Sequence, residues 1–179
     1  MSTRSSPGCS GSRPARKRSF PPVVDDRTRL LMLGSLPGDP SLAARQYYGN
    51  PRNDFWRLMG GVVGEDLVGL SYDDRLAALL AHGVGLWDVI GEATRPGSLD
   101  GAIREVAPND LIGLVDRPPA LSAIGFNGAK AAGLGMKQLK DQTGRLEMFT
   151  LPSSSRAHAS LRYAEKAAVW NRLKGSLGL

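Results

Sequence analysis

Cysteine and histidine are scarce in this chain of 179 residues, and their scarcity excludes several classes of site. The single cysteine, Cys9, can form no disulfide within the chain and no cysteine-based zinc site. The two histidines, His82 and His158, lie far apart, and no His-x-x-x-His spacing occurs. We therefore expect no metal site, and a reducing cytoplasm is the expected location.

Long apolar segments are also missing. No stretch approaches the roughly 18 consecutive apolar residues of a membrane-spanning helix, and the basic start lacks the apolar centre of a signal peptide. The length suits one domain with a substantial core. The sequence thus predicts a protein that has no membrane partner.

Acidic residues are absent from residues 1–19, which contain five basic residues and are rich in Ser, Gly and Pro. This composition is typical of disorder, so we predict a disordered basic tail over residues 1–19 and one folded domain over residues 20–179. The folded part is nearly neutral. The tail either has no role or adds a salt-sensitive attraction to phosphates.

Four short apolar segments alternate with segments of helical periodicity. The predicted strands cover residues 28–34, 85–90, 120–126 and 147–151, and the predicted helices cover residues 41–48, 53–62, 71–82, 99–106, 109–115 and 163–173, with a further helix opened by Asn127. This alternation predicts an α/β fold with three αβα layers around a central, mainly parallel four-stranded sheet. Ligands of such sheets bind beyond the carboxyl ends of the strands. The rule selects the loops after Leu33, Val89, Phe126 and Leu151.

Six motifs in these loops and beside them resemble those of the uracil-DNA glycosylase superfamily. They are GSLPG, YYGNPRNDFW, LWDVI, RPGSLD, FNGAKA and LPSSSRAHA, in that order. The similarity is greatest to the hypoxanthine-DNA glycosylase branch and covers almost everything outside the tail. It implies a monofunctional DNA glycosylase of base-excision repair that hydrolyses the N-glycosidic bond of deaminated bases, namely hypoxanthine and also uracil or xanthine.

The same resemblance implies further properties of the protein. Water is the nucleophile in this chemistry, so no cofactor is expected. The expected partner is DNA that contains deaminated bases, and the expected protein is a monomer that associates with the nucleoid when it binds DNA.

The resemblance assigns the catalytic role to Asn53. Many members of the superfamily carry a water-activating Asp or Asn two residues after the first glycine of this loop, but Leu36 stands there in this chain. The hypoxanthine branch relies instead on an Asn in its Pro-Arg-Asn-x-Phe-Trp segment, which corresponds to Asn53. An amide is a weak base, so we expect Asn53 to orient the water while a neighbouring carbonyl or phosphate takes up the proton. The alternative is that Asn53 caps the next helix.

Several residues are expected to contact the flipped base. Gly34, Ser35 and Leu36 belong to the glycine- and proline-rich loop, whose backbone N–H groups can approach a ligand. Tyr48 is expected to stack on the base, and Asp88 to accept hydrogen bonds from its N–H groups, such as N1–H of hypoxanthine. The alternatives are that the tyrosines fill the core and that Asp88 caps a turn.

Asn127 presents both a donor and an acceptor and is a candidate reader of the base edge. The alternative role for Asn127 is capping of the helix that follows. Contacts to DNA phosphates are expected from the side chains that come after the third and fourth strands, namely Lys130, Ser153, Ser154, Ser155 and Arg156.

Two positions depart from the pattern of many relatives. Leu151 stands where several of them have a His or Asn that stabilises the leaving base, and His158 is either an assistant in catalysis or an ordinary histidine. Leu36 and Leu151 together favour a second hypothesis, a lesion-binding module that has lost catalysis. A third hypothesis, a nucleotide-binding protein of another family, is weak because GSLPGDP lacks the Gly-Lys-Ser/Thr ending of a Walker loop.

Overall fold

Short strands and short helices alternate along the chain in a computed structural model that describes residues 16–157 and 161–179. The strands are β1 (Arg16–Arg18), β2 (Leu30–Gly34), β3 (Val84–Asp88), β4 (Ile90–Thr94), β5 (Arg104–Pro108), β6 (Ala123–Asn127) and β7 (Glu147–Leu151). The α-helices are α1 (Asp39–Ala44), α2 (Phe55–Val63), α3 (Tyr72–Ala81), α4 (Leu111–Val115), α5 (Ala129–Gln138), α6 (Tyr163–Trp170) and α7 (Lys174–Leu177). Single 3₁₀ turns cover Asp100–Ala102, Lys140–Gln142 and Asn171–Leu173.

Four of the strands form a parallel sheet in the order β3-β2-β6-β7, so the four predicted strands are confirmed. Successive side chains of β2 point to opposite faces and are all buried: Leu30 and Met32 lie in one core, and Leu31 and Leu33 in the other. A strand covered on both faces must be apolar throughout, which is why β2 and β6 read as apolar runs in the sequence.

Helices cover both faces of the sheet, as predicted. Buried side chains of α2, α3 and α6 pack on the face that contains Leu30, and those of α4 and α5 pack on the face that contains Leu31. Helix α3 begins as its sequence predicts, since the Ser71 hydroxyl accepts a hydrogen bond from the Asp74 N–H. The result is a three-layer αβα domain.

The predicted helix over residues 99–106 is wrong. That segment forms a 3₁₀ turn and then β5, which pairs antiparallel with β4. Leu99, Ile103 and Val106 are spaced like one face of a helix, but Leu99 and Val106 are exposed and only Ile103 enters the core. The helical spacing was therefore accidental.

The predicted end of the tail at residue 19 is also wrong. Residues 16–18 form β1, which pairs with β4 and completes a second, antiparallel sheet in the order β1-β4-β5. Their positive charges are partnered, because Arg16 and Arg18 bind the two carboxylate oxygens of Glu92 at 2.5 and 3.2 Å. Disorder of residues 1–15, which lie outside the described residues, stays a prediction.

Across residues 16–157 and 161–179, every helix falls short of the length and apolarity needed to cross a bilayer.

Close packing of α5 on β6 depends on Gly135. A Cβ added there would overlap the Phe126 ring, so Gly135→Ala should destabilise the protein by about 1–3 kcal/mol. Gly133 lies on the same helix with nothing within 4 Å of an added Cβ. Gly133→Ala should therefore be neutral or stabilising by up to about 1 kcal/mol. Urea unfolding of both variants tests this contrast, and equal effects would contradict the packing argument.

Candidate active site

A cavity of about 480 Å³ opens at the carboxyl edge of the parallel sheet. Its lining comes from residues 34–38, 40, 41, 47, 48, 50, 53, 88, 98–101, 127–130, 153–155 and 157. The cavity therefore lies beside the loops that the strand-end rule selects. It gathers all but one of the residues that the sequence pointed to: Asn53, Gly34, Ser35, Leu36, Tyr48, Asp88, Asn127, Lys130, Ser153, Ser154 and Ser155. Arg156 is not among its lining residues.

The ends of β2 and β3 bring Gly34 beside Asp88 in the sheet register. A Cβ on Gly34 would lie 2.5 Å from Asp88 Oδ1 and 3.1 Å from the Tyr48 hydroxyl oxygen, so only glycine leaves room for the carboxyl group. Asp88 is 4% exposed, and its Oδ2 has no hydrogen-bond partner among the described residues. An unpartnered polar atom that lines a cavity is available to a ligand.

The Asp88 carboxyl is held close to its neutral form. Burial raises its pKa to about 8, because a charged carboxylate loses its hydration there. The positive charge of Arg95 opposes this rise in pKa, and the negative charge of Asp100 adds to it. Asp88 can therefore change its charge near neutral pH, which few carboxyl groups do.

Tyr48 lines the cavity. One face of its ring is covered by Phe55, with ring centroids 3.6 Å apart and planes within 7° of parallel. The backbone of Tyr48 has φ of 52°, and its carbonyl accepts a hydrogen bond from Trp56 Nε1 at 3.2 Å. Tyr47 is instead buried, and its hydroxyl lies 3.0 Å from the carbonyl oxygen of Phe20. Of the two tyrosines, Tyr48 is the one placed to stack on a ligand.

Asn53 lines the cavity and precedes Asp54, the N-cap residue of helix α2. Its Oδ1 accepts a hydrogen bond at 2.9 Å from the N–H of Phe55, the first residue of the helix, so Asn53 supports the start of α2 without being its cap. A carbonyl oxygen has two lone pairs, and the amide nitrogen carries two hydrogens. One acceptor site and the amide hydrogens of Asn53 are therefore left for a second task.

Asn127 ends β6 and binds Ser154 with both halves of its amide. Nδ2 donates to Ser154 Oγ, and Oδ1 accepts from the Ser154 N–H, both at 2.8 Å. The N-cap of α5 is Gly128, so the capping alternative for Asn127 is wrong. The Ser154 side chain is completely buried, which also excludes it as a direct phosphate contact.

Ser153 and Ser155 remain as half-buried hydroxyls at the cavity. Ser153 Oγ accepts from the Ser155 N–H at 3.2 Å, and Ser155 Oγ accepts from the Ala157 N–H at 3.3 Å. Since each hydroxyl acts as an acceptor in these turns, its hydrogen is free to be donated to a phosphate.

Helix α6 fixes the loop of residues 152–157, which we call the serine loop, through two hydrogen bonds. Trp170 Nε1 donates to the Pro152 carbonyl at 3.0 Å, and the buried Lys166 ammonium donates to the Ser155 carbonyl at 3.1 Å. With both carbonyls fixed, the loop presents its hydroxyls in one arrangement.

Arg156 and Lys130 lie at the rim. The Arg156 guanidinium binds Asp54 Oδ1 at 3.0 Å, while its side chain is 62% exposed. Because most of its guanidinium is exposed, Arg156 has N–H donors left for a phosphate while it stays bound to Asp54, whose side chain is only 10% exposed. Lys130 is half-buried and lines the cavity. His158 lies outside the described residues, so its role stays open.

Leu36 and Leu151, which stand at positions that are polar in many relatives, have different surroundings. Leu36 lines the cavity and also packs in the core that contains Leu33. Leu151 is not a lining residue and packs in the opposite core, 3.4 Å from the position of a Cβ on Gly125. Neither side chain can activate water or stabilise an anion.

Sequence reasoning missed Arg95 and Asp100. Arg95 is 2% exposed and donates to the carbonyls of Leu36, at 3.1 Å, and Pro37. Asp100 Oδ1 accepts from the Ser35 hydroxyl at 2.6 Å and lies 3.7 Å from Arg95 Nη1. Both residues belong to RPGSLD, which carries the resemblance. The mistaken helix over residues 99–106 hid their position beside the first loop.

Comparison with known proteins places the chain in a family, although no family model matches it. A hypoxanthine DNA glycosylase of Methanosarcina acetivorans is 46% identical over 142 residues, which cover 79% of this chain and 88% of that protein. A hypoxanthine DNA glycosylase of Methanosarcina barkeri is 47% identical over 116 residues, covering 65% of this chain and 73% of that protein. The chain belongs to the hypoxanthine DNA glycosylase family.

A solved structure supports the same assignment for this hypoxanthine DNA glycosylase family member. The solution NMR structure of a Methanosarcina acetivorans protein, provisionally named a uracil DNA glycosylase, superimposes with a TM-score of 0.81 at 41% identity. The match covers 92% of this chain and all of that one. The predicted uracil-DNA glycosylase-like fold is confirmed.

Burial of Asp88 should make the protein less stable as pH rises. Its folded-state pKa of about 8 lies above the ordinary 3.8, so the charged form is penalised on folding and the penalty grows between these values. Asp88→Asn should raise the melting temperature at pH 9 by at least about 2 °C, or roughly 1 kcal/mol, and by less at pH 5. Calorimetry at both values tests this, with the exposed Asp141→Asn as control. An equal effect of Asp88→Asn at pH 5 and pH 9 would contradict the assignment.

Proposed function

We propose that this chain is a monofunctional DNA glycosylase that removes deaminated bases, hypoxanthine above all, from DNA in base-excision repair. The observation that carries the proposal is the cavity at the sheet edge, where an aromatic ring, an amide and an unpartnered carboxyl group converge. The names of the two curated relatives point to the same substrate. The finer assignments, namely uracil and xanthine as further bases, a monomer, and association with the nucleoid, are part of this proposal.

The target base has to leave the duplex before it can enter such a cavity. Flipping costs less for a weakly paired deaminated base than for a normal one, and this difference supplies part of the selectivity. A volume of about 480 Å³ is in the range of small-molecule pockets, and the ring of Tyr48 offers a stacking surface. Stacking of a base on an aromatic ring contributes about 1–3 kcal/mol.

Asp88 is the proposed reader of the base edge. A deaminated purine such as hypoxanthine carries a hydrogen on N1, whereas N1 of adenine is an acceptor. The carboxyl group of Asp88 can accept from the first in either form, and its ionised form, which predominates above its pKa of about 8, also repels the second. Discrimination between the two bases should therefore increase with pH. Asn127 supports the site by holding Ser154 and thus ties β6 to the serine loop.

Asn53 is the proposed water-orienting residue. Its free acceptor site takes one hydrogen of the water, whose oxygen then forms a bond to C1′ as the bond from C1′ to the base nitrogen breaks. The electron pair leaves with the base, and the proton of the water passes to a phosphate or to a neighbouring carbonyl. Positioning and electrostatics dominate such a reaction, so a weak base suffices.

The DNA backbone is proposed to lie along the serine loop and the rim. Ser153 and Ser155 donate hydroxyl hydrogens to phosphates beside the flipped nucleotide, and Lys130 and Arg156 supply positive charge. Residues 1–15 contain two basic residues, Arg4 and Arg13, and no acid, so any contribution they make is salt-sensitive attraction.

The substrate assignment is tested with duplexes that each contain one hypoxanthine, uracil, xanthine or mispaired normal base. We expect abasic sites to form fastest in the duplex that contains hypoxanthine. Formation in the duplex with a mispaired normal base should be at least about 100-fold slower. The readout is strand cleavage after alkali under single-turnover conditions. Binding to the hypoxanthine duplex without release of any base would identify a lesion-binding module and overturn the enzymatic proposal.

The two tasks of Asn53 can be separated by substitution. Asn53→Ser keeps a side-chain oxygen that can accept from the Phe55 N–H, whereas Asn53→Ala removes this acceptor at a cost of about 1 kcal/mol. Both variants should lose about 100-fold or more in the single-turnover rate while keeping their affinity for DNA, because neither holds the water as the amide does. A rate that falls only in Asn53→Ala, in step with its stability, would limit the role of Asn53 to supporting the start of helix α2.

A further inference from the structure

The motif RPGSLD, residues 95–100, takes no part in the reaction as proposed, although its second half lines the cavity. It lies against the loop at the end of β2, residues 34–38, which lines the cavity throughout and which we call the β2 loop. Three side chains of the motif are bonded to the β2 loop or to the residue after it, namely Arg95, Ser98 and Asp100. Two distant segments of the chain are thus joined beside the cavity.

Arg95 makes the central connection. Its Nη1 donates to the Leu36 carbonyl at 3.1 Å, and its Nη2 donates to the Pro37 carbonyl. The side chain is almost wholly buried, so water does not compete for these bonds. The planar fork of a guanidinium can hold two successive carbonyls at once, whereas the ammonium of a lysine offers no such fixed pair of donors.

The end of the motif adds two more hydrogen bonds. The Ser35 hydroxyl donates to Asp100 Oδ1 at 2.6 Å, and the Ser98 hydroxyl accepts from the Asp39 N–H at 2.9 Å. A Cβ on Gly38 would lie 3.1 Å from Ser98 Oγ, so the two segments are in close contact at this point. The β2 loop is therefore held near both of its ends.

A residue of β1 ties the motif to the start of helix α1. The Lys17 ammonium binds the Asp39 carboxylate and the Gly97 carbonyl, the latter at 2.6 Å. Since Asp39 directly follows the β2 loop, the bonds of Lys17 and of the motif fix the same stretch of backbone.

Every carbonyl group of the β2 loop accepts a hydrogen bond. Those of residues 34, 35 and 38 accept from backbone N–H groups, and those of Leu36 and Pro37 accept from the Arg95 side chain. A planar peptide group turns as one unit, so a bond to its oxygen fixes the whole plane. Arg95 thereby sets the two peptide planes that place the Leu36 side chain and the Pro37 ring at the cavity.

We propose that residues 95–100 form a clamp that preorganises the β2 loop for catalysis, with Arg95 as its main positioning residue. The inference rests on the proposed function, in which the β2 loop contacts the flipped base. Arg95 acts through the Leu36 and Pro37 carbonyls. The phosphate contacts are proposed for the serine loop and the rim, so the clamp governs the alignment of the base and not the affinity for DNA.

Two substitutions of Arg95 separate its charge from its hydrogen bonds. Arg95→Met removes both, whereas Arg95→Lys keeps the charge but lacks the planar fork. The control is Arg117→Met, which removes an exposed arginine that is not part of the cavity lining.

The first readout needs no substrate and is the NMR chemical shift of the backbone carbonyl carbons in the β2 loop. Loss of a hydrogen bond moves a carbonyl carbon resonance upfield. We expect such a shift for Leu36 and Pro37 in Arg95→Met, and for at least one of the two in Arg95→Lys. The Gly34 and Ser35 carbonyls are the internal reference, because their bonds come from backbone N–H groups. Unchanged Leu36 and Pro37 shifts would overturn the proposal, and Arg95→Lys decides it if Arg95→Met fails to fold.

The second readout is the single-turnover release of hypoxanthine from a duplex, measured over a range of protein concentrations. At saturating protein, we expect the rate of both Arg95 variants to fall about 10-fold or more, because a shift of about 1 Å in a positioning element can cost about 100-fold. The half-saturating concentration should change less than about twofold, since phosphate contacts supply much of the affinity. A changed half-saturating concentration with an unchanged maximal rate would contradict the clamp, as would an equal loss in Arg117→Met.

Asp100 offers a test by partial recovery. Asp100→Ala removes the acceptor of the Ser35 hydroxyl and should slow base release, whereas Asp100→Asn keeps an oxygen that can accept this bond and should recover part of the rate. Equal rates in the two variants would exclude the bond to Ser35 from the clamp.

Failure of the clamp and failure of the proposed function are distinguishable. Absence of base release by the unsubstituted protein would defeat the proposed function. Normal base release by both Arg95 variants would defeat the clamp alone.

Discussion

The close approach of Asp88 to the backbone of Gly34 is the constraint around which the cavity is built. Parallel pairing brings the ends of β2 and β3 together, and the missing side chain of Gly34 leaves space for a carboxyl group that no described residue satisfies. The fold accepts the cost of an isolated polar group at this point, and nearby charges then decide whether it is ionised. Burial of this carboxyl group lowers the stability of the fold at the position where the group is proposed to contact the base.

The rest of the cavity supplies position rather than strong acids or bases. Asn53 is held by the first turn of α2, Tyr48 by stacking on Phe55, and Asn127 by Ser154. Each is fixed by a neighbour that takes only part of its bonding capacity. This arrangement suits a reaction in which the departing group carries away the electrons and the protein mainly aligns water with the sugar.

The sequence predicted the parallel sheet because its two central strands, β2 and β6, are buried throughout and so read as apolar runs. The sequence did not reveal β1, because its basic residues look like part of a disordered tail. It did not reveal β5, because the apolar residues of that segment happen to be spaced like one face of a helix. The gathering of Asn53, Tyr48 and Asp88 followed from strand ends and family motifs. The pairing of Asn127 with Ser154 did not, since an asparagine before a helix usually caps it. Arg95 escaped notice because burial of an arginine depends on distant loops, which local patterns do not describe.

The contact of Lys17 with Gly97 bears on the order in which the parts of the cavity are made during synthesis. These residues are 80 positions apart, and the opposite wall of the cavity comes from residues 153–155 and 157. During synthesis, the residues of one wall of the cavity therefore emerge from the ribosome well before those of the opposite wall. The cavity is complete only once residues 153–155 and 157 have been made and have folded beside the sheet.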